Sequence, residues 1–134
     1  MIGCIVQARM GSSRLPGKVL KKMDEKNTVL DYVINQLHEC KNIEKIIIAT
    51  TELQEDNIIC EYLSSKQIEC FRGSSEDVLD RYFQCAKKFS IDTIVRITAD
   101  NPLIDPQIVD TIIEEYKKGK YDFITNTINR TFPY

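Results

Sequence analysis

Short β-branched runs alternate with longer amphipathic stretches along nearly the whole chain, and no other feature narrows the fold as much. That alternation is the pattern of βαβ units, whose right-handed crossovers bring successive strands into a mainly parallel sheet. Strands are expected at about residues 3–7, 45–50, 69–71, 93–97 and 122–126. The second contains Ile46-Ile47-Ile48, too apolar for a sheet covered on one face only, so helices are expected on both sides. The fold class is therefore α/β, a mainly parallel sheet in a three-layer αβα sandwich.

Helical spacing fills the intervals. One helix begins at Thr28, an N-cap with Asp31 three residues on, and buries Val29, Leu30, Val33, Ile34 and Leu37. Another, at about 56–65, is expected to bury Ile58, Ile59, Tyr62 and Leu63. A third, at about 77–89, presents Val78, Leu79, Tyr82, Phe83 and Ala86. The fourth is capped by Asp105, starts at Pro106, buries Val109, Ile112, Ile113 and Tyr116, and stops at Gly119. Residues 18–23 predict a short turn of helix or strand, and 24–27 a turn. The chain stops at Phe132-Pro133-Tyr134 with no capping element, an odd end for a complete α/β domain.

Several function classes are poorly supported. A net charge of −2 gives no general basic field for nucleic acid. No apolar run approaches the roughly 20 residues of a membrane helix, and the N-terminus lacks the basic start of a signal peptide. A cytoplasmic protein without membrane insertion is expected. The five cysteines show no C-x-x-C spacing and have apolar neighbours, which predicts small buried hydrophobes in a reducing compartment. His38, the one histidine, stands in a helical pattern without a partner and is read as a surface or packing residue.

The chemistry concentrates after the first strand, in Ala8-Arg9-Met10-Gly11-Ser12-Ser13-Arg14-Leu15-Pro16-Gly17-Lys18. An apolar strand emptying into an acid-free loop of glycines, serines and three cations is the build of a phosphate cradle. Glycine lets backbone N–H groups face an anion, while Arg9, Arg14 and Lys18 supply charge and directed donors. It is no P-loop: Gly11 stands one residue too far from Gly17-Lys18, and Val19 replaces the Ser or Thr. The G-x-G-x-x-G dinucleotide fingerprint is also absent. In a parallel sheet the loops after strands one to four share one edge, where open α/β sheets bind ligands. Asp100, three residues past the fourth strand, would there face the cations, either holding magnesium on a polyphosphate or making an Asx turn before Pro102.

Ile5-Val6-Gln7-Ala8-Arg9-Met10-Gly11-Ser12-Ser13-Arg14-Leu15-Pro16-Gly17-Lys18 resembles the signature of the sugar cytidylyltransferases, which include the acylneuraminate and deoxy-octulosonate enzymes. Phe71-Arg72-Gly73-Ser74-Ser75-Glu76-Asp77-Val78-Leu79-Asp80-Arg81-Tyr82 and Arg96-Ile97-Thr98-Ala99-Asp100-Asn101-Pro102-Leu103-Ile104-Asp105 are similar to the branch called spore coat polysaccharide biosynthesis proteins. The resemblance implies a Rossmann-like fold of the nucleotide-diphospho-sugar transferase type and magnesium-dependent transfer of CMP from CTP to a sugar, with pyrophosphate leaving. It implies that Arg9, Arg14 and Lys18 hold the triphosphate and neutralise the departing pyrophosphate. It places Ala8, Gly11 and Ser12 against the nucleotide, Arg72 and Asp77 in the loop that contacts base or ribose, and Asp100 on the metal. The partners implied are nucleotide and sugar substrates and a second copy in a homodimer.

Members of that family continue for roughly another hundred residues, on the scale of a further lobe. Residues 1–134 are thus expected to be the nucleotide-binding part of a nucleotidyltransferase domain, truncated before the sugar-binding and dimer-forming part. Two other readings stay open: a nucleotide-binding module or inactive fragment, and a glycosyltransferase using a nucleotide-sugar donor. The last is disfavoured because Pro102 stands where an Asp-x-Asp pair needs its second acid.

Overall fold

The computed structural model describes residues 1–11, 16–119 and 122–124. Its elements are strands β1 (Ile2–Gln7), β2 (Lys45–Thr51), β3 (Cys70–Gly73) and β4 (Thr93–Thr98), with helices α1 (Val29–His38), α2 (Asn57–Ser65), α3 (Val78–Lys88) and α4 (Pro106–Lys117). Among the described residues these four strands pair in parallel, in the order β3-β2-β1-β4. The expected α/β sandwich is what forms. Of the expected fifth strand, Asp122, Phe123 and Ile124 are not in a strand, and its last two residues lie outside the described ones.

Both faces of the sheet are covered, as the Ile46-Ile47-Ile48 run requires. Cys4 and Val6 of β1 and Ile48 of β2 point to one side, where they pack with Leu30, Val33, Leu37, Ile59, Leu63, Val109 and Ile113 of α1, α2 and α4. Ile5, Ile47 and Ala49 point the other way, against Tyr82, Cys85 and Ala86 of α3 and against Ile91. Gly3 belongs to this second face, and a Cβ there would sit 2.5 Å from Ile91 Cδ1.

Local chemistry sets the helix starts. Thr28 and Asp31 form the full capping box, each side chain paired with the other's backbone N–H. Asp77 accepts from the Asp80 N–H, and Asp105 from the Gln107 N–H at 2.8 Å with Pro106 at the first position of α4. Gly119 ends α4 in the left-handed conformation, φ 76°. Residues 18–23 hold both expected shapes in miniature: a 3-10 turn at Lys18–Leu20, then an isolated antiparallel bridge between Lys22 and Thr28.

Two helix faces differ from their expected orientation. On α3, Leu79 is 77% and Phe83 55% exposed, while Arg81 and Cys85 turn inward beside Tyr82 and Ala86. Both apolar rows have helical spacing. α3 alone packs on its side of the sheet among the described residues, and only the row facing β1 and β2 is covered. On α2, Ile58 is 50% exposed because Ile59 and Leu63 fill the contact with the sheet. β3 also runs two residues further than expected, since Arg72 pairs with Thr50 and Gly73 with Thr51.

The cysteines behave as expected. All five are unpaired; Cys4, Cys40 and Cys85 are buried, Cys60 and Cys70 half-buried, and burial raises the Cys85 thiol to about 11. His38 is exposed. No helix among the described residues is long and apolar enough to cross a membrane.

Candidate nucleotide site at the strand ends

Because every strand runs the same way, the segments after β1, β2, β3 and β4 emerge along one edge. Strand order reverses between β1 and β4: the chain goes from β1 outward through β2 to β3, then returns to the far side of β1. A crevice opens at such a switch point because the two adjoining connections leave in opposite directions. Here those connections are the cationic loop and the segment carrying Asp100.

The register brings the two together. Gln7 and Thr98 are paired at the ends of β1 and β4, and Arg9 and Asp100 each stand two residues beyond, both exposed. The Ala99 N–H donates to Gln7 O at 2.9 Å, and the Ala8 N–H to Ala49 O at 3.0 Å. Ala8 and Ala99 are buried small residues, so β1 leaves the sheet pinned to both neighbours.

The described ends of the β1 loop are joined. The Gly17 N–H donates to Met10 O at 2.8 Å, and Gly17 adopts φ 73°, a left-handed conformation that glycine takes without cost. Lys18 follows, half-buried, in the 3-10 turn. Ser12 and Arg14, expected to touch the nucleotide, lie outside the described residues.

Two acids of the neighbouring loop support this acid-free segment. Asp56 is fully buried; it accepts from the Met10 N–H at 2.7 Å and from the Thr51 hydroxyl. Glu55 lies against Gly11, where a Cβ would come 3.0 Å from Glu55 Oε1. Sequence reasoning missed Asp56, reading it only as the start of a helix. Its signal was its place at the end of a polar loop directly after a buried strand.

The loop after β3 has a different job for each expected residue. Arg72 is committed to the protein: Nε donates to Thr51 O at 2.9 Å, one terminal nitrogen to Asn57 Oδ1 at 2.6 Å and the other to Leu53 O at 2.8 Å. It ties β3 to the connection between β2 and α2. Asp77 caps α3 through Asp80. A shallow depression of about 450 Å³ lies past the end of β3, bordered by Glu52, Phe71, Arg72, Gly73, Ser74 and Ser75.

Asp100 is left available by its neighbours. The Asx turn before Pro102 is made by Asn101, whose Oδ1 accepts from the Leu103 N–H at 3.1 Å, and Asp105 is the helix cap. No cluster of three acids, histidines or cysteines able to hold a metal occurs among the described residues. One exposed carboxylate is a donor set that fits magnesium, which keeps several waters and takes its other oxygens from substrate phosphates.

Arg81, also unforeseen, sits beneath this edge. Its side chain is 1% exposed; Nε donates to Ser74 O at 2.9 Å, and one terminal nitrogen, Nη1, is sealed without an acceptor. Burial pulls its pKa below the usual arginine value; Tyr82 and then Asp56 push it up, and the field of Arg9 pushes it down.

Comparison with known proteins gives the family and the fold. A family model described as cytidylyltransferase matches residues 3–132. The chain is 35% identical over 128 residues to the spore coat polysaccharide biosynthesis protein SpsF of Bacillus subtilis, covering 91% of this chain and 53% of that protein. It superposes on a cytidylyltransferase from Leptospira borgpetersenii with a TM-score of 0.89 and 39% identity, covering 98% of this chain and 56% of the other. It shares its fold, at a TM-score of 0.73 and 21% identity, with a CMP:2-keto-3-deoxy-manno-octonic acid synthetase complexed with CTP, covering 87% of this chain and 47% of that one. The chain spans about half the length of the curated relatives it matches.

Proposed function

Because this chain belongs to the cytidylyltransferase family, we infer that it is the nucleotide-holding part of an enzyme that transfers CMP from CTP to a sugar, within polysaccharide biosynthesis. The observation that carries this reading is the meeting of the β1 loop and Asp100 at the switch point, with Gln7 and Thr98 in register beneath them. A sugar hydroxyl oxygen attacks the α-phosphorus of CTP, the bond to the bridging oxygen breaks, pyrophosphate leaves with the bonding pair, and the hydroxyl proton passes to solvent. Arg9, Arg14 and Lys18 bind the triphosphate and stabilise negative charge that grows on the leaving group. Ala8, Gly11 and Ser12 lie along the nucleotide. The depression beside Arg72 and Gly73 takes base and ribose, with Arg72 on its wall and Asp77 in the adjoining loop as the cap of α3.

Asp100 would hold magnesium against the phosphates, and the ion when bound would neutralise phosphate charge. The sugar pocket, and a surface for a homodimer, belong to the further length present in relatives. The five unpaired thiols support a reducing compartment and action in the cytoplasm.

Calorimetric titration with CTP, with and without magnesium, tests the reading on this chain. Saturable binding that magnesium strengthens is expected, with ATP, GTP and UTP weaker. If none of the four triphosphates binds, the reading fails. A chain extended to the length of its relatives should release pyrophosphate from CTP when given an acidic sugar. Binding without release in that longer protein would favour a non-catalytic module.

A further inference from the structure

We propose that Arg81 is a positioning residue of the anion site, a sealed positive charge beneath the β1 loop that draws and orients the nucleotide's phosphates through the protein interior. The proposal rests on the nucleotide reading above and adds to it a residue outside the loop that carries the cradle.

The first support is the cost of the arrangement. A buried guanidinium is tolerated when its donors are used and its charge is answered. Arg81 is 1% exposed, yet Nη1 has no acceptor, and among the described residues no carboxylate comes within ion-pair distance of it. The acid whose field supports the Arg81 charge is Asp56, and its carboxylate is already engaged by the Met10 N–H and the Thr51 hydroxyl. A charge left partly unanswered in the ligand-free protein is one that an incoming anion can answer.

The second support is its place. Arg81 is anchored at Ser74 O, and its aliphatic part packs on Gly73 at the end of β3, where a Cβ would come 2.9 Å from Arg81 Cγ. The charged groups that act on it are Arg9, the first cation of the cradle, and Asp56, which holds the next residue, Met10. Asp56 answers the Arg81 charge without forming an ion pair with it, and Arg9 adds a second positive charge. Acting through protein rather than water, that charge is weakly screened.

The test compares R81M and R81K in the full 134-residue chain, with CTP, CMP and inorganic tripolyphosphate as probes. Methionine keeps much of the aliphatic stem that packs on Gly73 and removes the charge. R81M should bind CTP and tripolyphosphate at least tenfold more weakly, lose less with CMP, and melt without ligand no more than a few degrees below the parent. R81K should recover most of the tripolyphosphate affinity. Tripolyphosphate affinity within twofold of the parent in R81M overturns the proposal. So does an R81M that fails to fold, since the charge would then serve the fold. A loss confined to the nucleoside part, with tripolyphosphate unaffected, also overturns it. If the parent binds none of the probes, the nucleotide reading itself fails, which is a distinguishable result.

Discussion

Asp56 accepts a hydrogen bond from the Met10 backbone N–H at 2.7 Å, joining two loops 46 residues apart. The third residue of the β1 loop is therefore tied to the connection after β2. Asp56→Ala would leave a part-buried N–H unsatisfied and remove the Thr51 contact, at a cost of about 1–3 kcal/mol. Denaturant titration should show that loss, with Asp56→Asn milder because an amide oxygen can still accept from Met10. CTP affinity should fall in the alanine variant in step with the loosened loop.

Lys18→Ala and Asp100→Ala address the cradle and its carboxylate directly. Lys18 is half-buried in a single 3-10 turn and Asp100 is exposed, so either change should leave stability within about 0.5 kcal/mol. Calorimetry should show weaker CTP binding for Lys18→Ala, and for Asp100→Ala the loss of the magnesium effect with little change in its absence. Parent-like titrations from both variants would remove these residues from the site.

Arg72 should reveal itself through stability before binding. Its three hydrogen bonds all go to Thr51, Leu53 and Asn57. Arg72→Ala therefore frees two backbone carbonyls and should cost about 1–3 kcal/mol. Arg72→Lys should restore little, because an ammonium cannot reproduce the planar fork. A fully stable Arg72→Ala with abolished CTP binding would contradict this division of roles.

Gly3 tests the close packing of the second sheet face. A Cβ would lie 2.5 Å from Ile91 Cδ1 and 2.7 Å from Cγ1, so Gly3→Ala overpacks the contact. A loss of about 1–3 kcal/mol is expected. The double variant Gly3→Ala with Ile91→Val should recover part of it, as judged by thermal melting.

Asp31 predicts a feature of the acid limb. Burial pulls its pKa upward, but hydrogen bonds from the Thr28 N–H, the Tyr62 hydroxyl and the Thr28 hydroxyl, with Lys66 at 3.2 Å, outweigh it and leave it below the ordinary carboxylate value. A carboxylate depressed on folding stabilises above its unfolded pKa, about 3.9, and that contribution disappears as pH falls through the lower folded value. Asp31→Asn should therefore flatten the dependence of stability on pH below about 4. It should also cost about 1 kcal/mol at neutral pH through the weakened cap. An unchanged acid limb would exclude Asp31 as its source.

What the sequence determined by itself was local. The positions of β1 to β4 and of the four helices, the Thr28–Asp31 box, the Asp105–Pro106 start and the Gly119 stop were legible because each depends on side-chain period or on residues within one turn. The β1 loop could be singled out as a candidate site from sequence, because glycine and arginine in one loop suggest anion chemistry without a partner. Its neighbour across the crevice was legible only on the assumption of a parallel sheet.

Tertiary structure decided the rest. The order β3-β2-β1-β4 put the switch point between the cradle and Asp100, and no local period encodes that order. α3 carries more than one apolar row, and contact with β1 and β2 selected one of them, leaving Leu79 and Phe83 outside and taking Arg81 inside. Asp56 looked like any helix-initiating acid until the fold laid Met10 against it. Such assignments depend on contacts between segments tens of residues apart, which form only when the sheet closes.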